Sequence, residues 1–119
     1  IIVLPNGFNV YPEDIENALR VAGIRDSVAV ETEPGRIEAV VLAGEAGAGG
    51  EAGASSQAVR ASIEASVRAA NRVLGSQQRI AGWRLWPDAD FPRTHTFKVR
   101  RDRVRAWAAV EGPLPVREG

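Results

Sequence analysis

Lys98 is the single lysine in a chain with fourteen arginines, and it lies in the densest run of positive charge: Arg93, Lys98, Arg100, Arg101, Arg103 and Arg105, opposed there only by Asp102. A primary ammonium is a compact charge with three rotatable donors, able to reach between two developing anions; a guanidinium is a planar fork that fits one carboxylate or phosphate side-on. An ordinary exposed lysine on a strand fits the same residue types. Other chemistries find less support. With no Cys, there is no thiolate nucleophile, disulfide scaffold or Cys-based metal site. His95 is the one histidine, which excludes the common zinc constellations and leaves no Ser-His-Asp set, so a solvent-facing loop position is expected for it. Asp88 with Asp90, and Glu13 with Asp14, read as loop or helix-start carboxylates explained by capping and solvation.

The balance of charge narrows the partners. The 119 residues carry 15 basic and 15 acidic side chains. The acidic excess lies in residues 1–52 and the basic excess in 53–119. A dense cationic segment on a neutral domain favours a local anion site over general polyanion binding, and no nucleic-acid partner is expected. The excess of Arg over Lys, with many Ala and Gly, reads as genomic GC bias. The length suits one domain over 1–119 with a buried core. No apolar run reaches the ~20 residues of a membrane span and no signal-peptide pattern opens the chain, so a cytoplasmic location is expected. There is no Met, and the chain starts Ile1-Ile2-Val3, which suggests a fragment, a processed product or an excised domain.

The elements that must position these groups are legible in outline. Ile1–Leu4 and Phe8–Tyr11 flank Pro5-Asn6-Gly7 and predict a hairpin. Pro12 suits a first helical position, the acids after it complement the helix dipole, Ile15, Ala18, Leu19 and Ala22 keep one apolar face, and Gly23 stops the helix. Ser27–Thr32 and Ile37–Ala43 read as antiparallel strands joined through Pro34-Gly35 in a type II turn. Residues 44–56 are low-complexity and predict a mobile loop. Gln57–Leu74 reads as the clearest helix, capped by Ser55 or Ser56, with Val59, Ile63, Val67, Ala70 and Leu74 on one face. Trp83–Trp86 reads as a strand halted by Pro87, with the tryptophans in or beside the core. Residues 88–95 read as a loop, Thr96–Arg100 as β-prone, Asp102–Val110 as a last helix and the tail from Gly112 as frayed. The expected fold is α+β: an N-terminal hairpin and a three- or four-stranded sheet with about three helices.

Two motifs at opposite ends of the chain carry a resemblance. The stretch from Phe91 to Arg101, with Pro92-Arg93-Thr94 leading to Lys98 and a basic residue two positions on, resembles the C-terminal motif of the AMP-forming acyl-CoA synthetase (adenylate-forming) superfamily. Gly7 to Glu16 resembles that family's Gly-x-x-Ile/Val-x-Pro-x-Glu/Asp-Ile/Val-Glu segment, and Ile1 to Pro5 the stretch after its interdomain hinge. Where many members have Gly before the lysine, this chain has Phe97; Thr96-Phe97-Lys98-Val99-Arg100-Arg101 looks more like the long-chain fatty-acyl branch. The resemblance implies a C-terminal lid domain, inactive without its own N-terminal adenylation domain, in a ligase that joins a carboxylic (fatty) acid to coenzyme A at the expense of ATP with Mg2+. It implies that Lys98 serves acyl-adenylate formation and that Asn6, Gly7 and Phe8 lie beside the coenzyme A path. Arg93 and Arg100, with Arg101, are candidates for contact with nucleotide phosphate or the large domain's acidic surface, or are solvated strand and helix ends. No metal and no tightly held cofactor is expected on this domain. A carrier protein in place of coenzyme A, or an aryl acid as substrate, fits the same pattern; a free-standing nucleic-acid-binding module is the reading from a different class.

Overall fold

The computed structural model describes residues 1–42, 56–87 and 90–111. The readings of 44–55 as a mobile loop, of Ser55 and Ser56 as caps, of Asp88 and of the tail from Gly112 fall outside the described residues or side chains. In chain order the elements are β1 (Ile2–Val3), β2 (Asn9–Val10), α1 (Pro12–Val21), β3 (Ser27–Glu33), β4 (Arg36–Leu42), α2 (Ser56–Val73), a short 3-10 turn (Ser76–Gln78), β5 (Gly82–Trp86) and α3 (Arg101–Glu111). β1 and β2 pair antiparallel as the predicted hairpin. The main sheet has order β3-β4-β5, with β3 and β4 antiparallel and β4 and β5 parallel. A parallel pair needs a long crossover, and the segment containing α2 supplies it.

The helix boundaries follow from local chemistry. Pro12 opens α1 where its missing N–H costs nothing, Glu13 and Asp14 sit in the first turn, and the helix ends with Gly23 N donating to Arg20 O and Ile24 N to Leu19 O. Gly35 has φ +83°, as the third position of the predicted Pro34-Gly35 turn requires. Period-two alternation then divides the sheet into two faces. Ala29, Ile37, Ala39 and Val41 pack against Ile15 and Leu19 of α1 and Ile63, Val67 and Ala70 of α2. Val28, Val30, Val40, Leu42 and Trp86 pack against Val104 and Ala108 of α3 and against Phe91. Trp86 is core, as predicted, and Trp83 packs at the edge of the other cluster.

The β-prone segment 96–100 differs from expectation. It forms no strand; a single bridge between Arg93 and Val99 is all the extended pairing it makes. Phe97 has φ +69°, which turns the chain back before a ladder can extend.

The free edge of β3 is also occupied. The Ala29 N–H donates to Glu16 Oε2 at 2.8 Å, and the Glu31 carbonyl accepts from Arg105 Nε at 2.9 Å.

One charge lies within the sheet. Glu38 is 1% exposed. Its carboxylate accepts from Arg36 Nε at 2.6 Å, from Arg84 Nε, and from Arg84 Nη2 at 3.3 Å. Gly82 makes room for this group: a Cβ there would come within 3.0 Å of Arg36 Nη2. Burial pushes the Glu38 carboxyl up, but hydrogen bonds and charge from Arg84 and Arg36 outweigh it and hold the group below its ordinary value of 4.5. Removing the carboxylate strands Arg84, whose side chain is 14% exposed. Glu38→Ala is expected to destabilise the chain by about 3 kcal/mol in urea unfolding at neutral pH. Because the folded-state value is the depressed one, the carboxylate's contribution is complete above the unfolded-state value and is lost as pH falls through the folded-state value. The gap between wild type and variant should therefore narrow on acidification below 4.5; a gap constant through that range would show that the ion pairs contribute nothing.

Candidate functional site

Lys98 lies on the loop between β5 and α3, and that loop is anchored at both ends. At its start Phe91 is buried against Trp86 with ring centroids 5.9 Å apart, and Trp86 Nε1 donates to the Asp90 carbonyl at 2.9 Å. Trp107 of α3 meets Trp86 edge-on at 4.8 Å, so one aromatic cluster joins strand, loop and helix. At its end Val99 packs on the same core, and Arg100 N donates to Pro92 O at 2.7 Å. Arg101 then opens α3, and its Nη2 donates to both Glu16 carboxylate oxygens, at 2.9 and 2.8 Å.

Between the anchors the tip is held by a dense set of short bonds. Thr94 N donates to Lys98 O, and Phe97 N to Thr94 O, both at 2.8 Å. The Thr94 hydroxyl oxygen accepts from Thr96 N and Lys98 N at 3.2 Å and lies 2.9 Å from the Thr96 hydroxyl. Arg93 grips Asp90 through two bonds, at 3.0 and 3.1 Å, and its Nη1 donates to Phe97 O at 3.1 Å. The hydrogen bonds from Arg93 and from the Phe91 N–H hold the Asp90 carboxyl below its usual range, while the Asp90 hydrogen bond raises Arg93. The backbone of the tip is thus over-determined, while the Lys98 side chain is exposed and its ammonium has no hydrogen bond or ion pair with the described residues. His95 and Phe97 beside it are exposed as well.

The other expected residues fall elsewhere. Asn6, Gly7 and Phe8 form the tip of the N-terminal hairpin. Asn6 Oδ1 accepts from Phe8 N at 2.9 Å, Asn6 Nδ2 donates to Gln77 Oε1 at 3.0 Å, and Gly7 N donates to Leu4 O. Gly7 has φ +89° and open space where a Cβ would stand, so its conformation rather than crowding requires glycine. Pro5 lies against Gly35 of the β3–β4 turn, and Gln77 precedes β5. The Lys98 loop instead leaves the far end of β5 and rests on Val28, Leu42 and Trp86. The two tips therefore lie toward opposite ends of the sheet, although the motifs that carry them meet where Arg101 bonds Glu16. Among the nucleotide-phosphate candidates, Arg93 is the internal brace of the Lys98 loop, and Arg100 lies 3.8 Å from Asp102.

The bracing roles of three residues escape the sequence reading, although Thr94 and Glu16 lie inside the two motifs. Asp90 stands three positions before its partner Arg93, a spacing that could have suggested the pair. Thr94 offers a hydroxyl that satisfies two backbone N–H groups. Glu16 reads as a helix-start acid, yet its main partner is 85 positions away, and no local signal announces it. Replacing Thr94 by Val, which keeps the shape and removes the acceptor, is expected to speed amide exchange at Lys98 about 5-fold while global stability changes by less than about 1 kcal/mol. Unchanged exchange at Lys98 would show that the hydroxyl does not hold the tip.

Among the described residues, no three His, Cys, Asp or Glu side chains gather as a metal site, and no helix is long and apolar enough to cross a membrane. No curated protein matches the chain with significant similarity. The family described as AMP-binding enzyme C-terminal domain matches residues 1–109, a span that includes both the hairpin tip and the Lys98 loop. Membership implies an N-terminal partner domain and, for the enzyme as a whole, adenylate-forming chemistry with ATP and Mg2+. With its α+β fold and both motifs inside the matched span, the chain belongs to the AMP-binding enzyme C-terminal domain family.

Proposed function

We propose that this chain is the mobile C-terminal domain of an AMP-forming acyl-CoA ligase acting on a fatty acid, and that Lys98 is its catalytic residue. The observation that carries the reading is an exposed, unpaired ammonium on a rigidly braced loop, in a chain of this family. In the first half-reaction a substrate carboxylate oxygen bonds to the α-phosphorus of ATP and the bond to pyrophosphate breaks. Negative charge crowds on the α-phosphate oxygens as this happens. A positioned ammonium at those oxygens and at the carboxylate stabilises the transition state more than the ground state. Bracing matters because a cation that must be ordered during the reaction gives up part of its effect to entropy. Magnesium would travel with ATP on the partner domain, since the described residues of this chain do not fit a metal.

In the second half-reaction the thiol sulfur of coenzyme A bonds to the acyl carbon, AMP leaves, and the thiol proton is released. The Asn6-Gly7-Phe8 tip would lie beside the thin pantetheine arm, where open space at Gly7 leaves room for it. Because the two tips lie at opposite ends of the sheet, presenting each in turn to one cleft requires the domain to rotate between half-reactions. Arg93 acts here by holding the loop rather than by touching phosphate.

In the full-length enzyme, Lys98→Ala is expected to slow adenylate formation by about 10²–10³-fold, measured by acid-dependent pyrophosphate exchange. Thioester formation from supplied acyl-adenylate should be nearly unchanged. Equal loss in both half-reactions would refute the assigned role. Gly7→Val forces a branched side chain into a left-handed conformation and should show the converse pattern, impairing thioester formation and sparing exchange. Coenzyme A and a carrier protein, offered in turn as acceptor, decide which thiol the enzyme serves; transfer to the carrier protein alone would exclude the ligase named here.

A further inference from the structure

Phe97 breaks two rules at once. It is the one non-glycine residue among those described with positive φ, at +69°, and its side chain is 78% exposed. It belongs to neither core cluster and makes no ring contact with a described residue. A bulky residue in the left-handed region is strained, and such strain persists only where surrounding bonds impose it. Here the bonds from Phe97 N to Thr94 O, from Arg93 Nη1 to Phe97 O and from Thr94 N to Lys98 O impose it. Glycine would satisfy the same turn without strain and without placing an aromatic ring in water. Nothing inside the described domain compensates for phenylalanine.

We propose that Phe97 is a positioning residue for adenylate formation: its ring docks on an apolar surface at the mouth of the N-terminal domain's cleft and fixes the depth and direction from which Lys98 enters. This rests on the role assigned to Lys98 above. The two residues are adjacent on one tip, with Cα atoms ~3.8 Å apart, so a cleft that admits the ammonium receives the ring at its rim. The partner is the domain that family membership implies. An exposed aromatic ring beside a charged group, on a backbone that cannot yield, is a suitable anchor for a transient interface, because little freedom remains to be lost on docking. The ring would be covered only while the domain presents Lys98 and would return to water when it rotates away.

The test uses the full-length enzyme with Phe97→Gly, Phe97→Asn and Phe97→Leu, and assays each half-reaction separately. Phe97→Gly and Phe97→Asn are expected to lose about 10-fold in adenylate formation, with thioester formation from supplied acyl-adenylate within about 2-fold of wild type. Phe97→Leu, which keeps apolar bulk, should retain most of the first half-reaction. Asn adopts the left-handed conformation readily while keeping a Cβ, so it separates loss of the ring from loosening of the backbone. Neither Gly nor Asn should lower the thermal midpoint, since both fit the turn better than Phe. Wild-type adenylation in the Asn variant, or equal loss in both half-reactions, would overturn the inference. If Lys98→Ala also leaves adenylation intact, the assignment of Lys98 fails; if that variant is impaired while Phe97→Gly and Phe97→Asn are not, only the docking of the ring fails.

Discussion

The geometry of the candidate site depends on one carboxylate. Glu16 projects from α1, takes the Ala29 N–H at the edge of β3, and receives both bonds from Arg101 at the start of α3. α1, the strand that follows it and the distant α3 are thereby fixed to one another at the point where the Lys98 loop ends. The side chain of Glu16 is 14% exposed against 39% for Arg101, so the pair is partly shielded, and both of its charge-assisted bonds come from Arg101 Nη2. Without that tie α3 would still bury Val104 and Ala108 against the sheet, but apolar burial is non-directional. The salt bridge ties the first residue of the helix to α1, at the point where the preceding loop ends.

Within that frame the loop divides its work between backbone and side chain. Its main-chain groups, together with Arg93, Asp90 and the Thr94 hydroxyl, are spent on internal bonds, and the Lys98 ammonium is left with none to the described residues. This is the arrangement expected of a group that must act elsewhere: the scaffold is satisfied locally, and the reactive end is satisfied only by what it meets. Buried Glu38 presents the opposite case, a charge whose partners are all supplied from β4 and β5. The two sites differ in burial and partnership rather than in the presence of charge.

Much of this was legible in the sequence, and the physical reason is locality. Pro12, the acids after it and Gly23 delimit a helix through interactions within one turn; Pro34-Gly35 specifies its own reversal; and the alternation in β3 and β4 needs only a period of two. Lys98 stands out by composition, but the segment that carries it reads as β-prone and is part of the loop between β5 and α3. What stayed hidden depends on contacts distant in sequence or on a backbone choice that residue types disfavour. A β-branched and aromatic run at Thr96–Arg100 argues for extended structure, yet Thr94's hydroxyl and Arg93's guanidinium fold it into a turn. Arg93 looked like a phosphate ligand because its charge was visible and its partner Asp90 was not recognised as one. The pairing of Glu16 with Arg101 spans the chain, and no short window contains it.

The occupied margin of β3 bears on the behaviour of the domain in solution. An outermost strand with vacant amides and carbonyls invites another chain to zip onto it, and many proteins guard against this with charge, bulges or a covering helix. Here the guard is made of two side chains, Glu16 and Arg105, which engage the Ala29 amide and the Glu31 carbonyl. The rotation proposed above would bare this margin to other proteins each time the domain moved. With one amide and one carbonyl held by ionised side chains, that margin offers fewer bare groups to another chain.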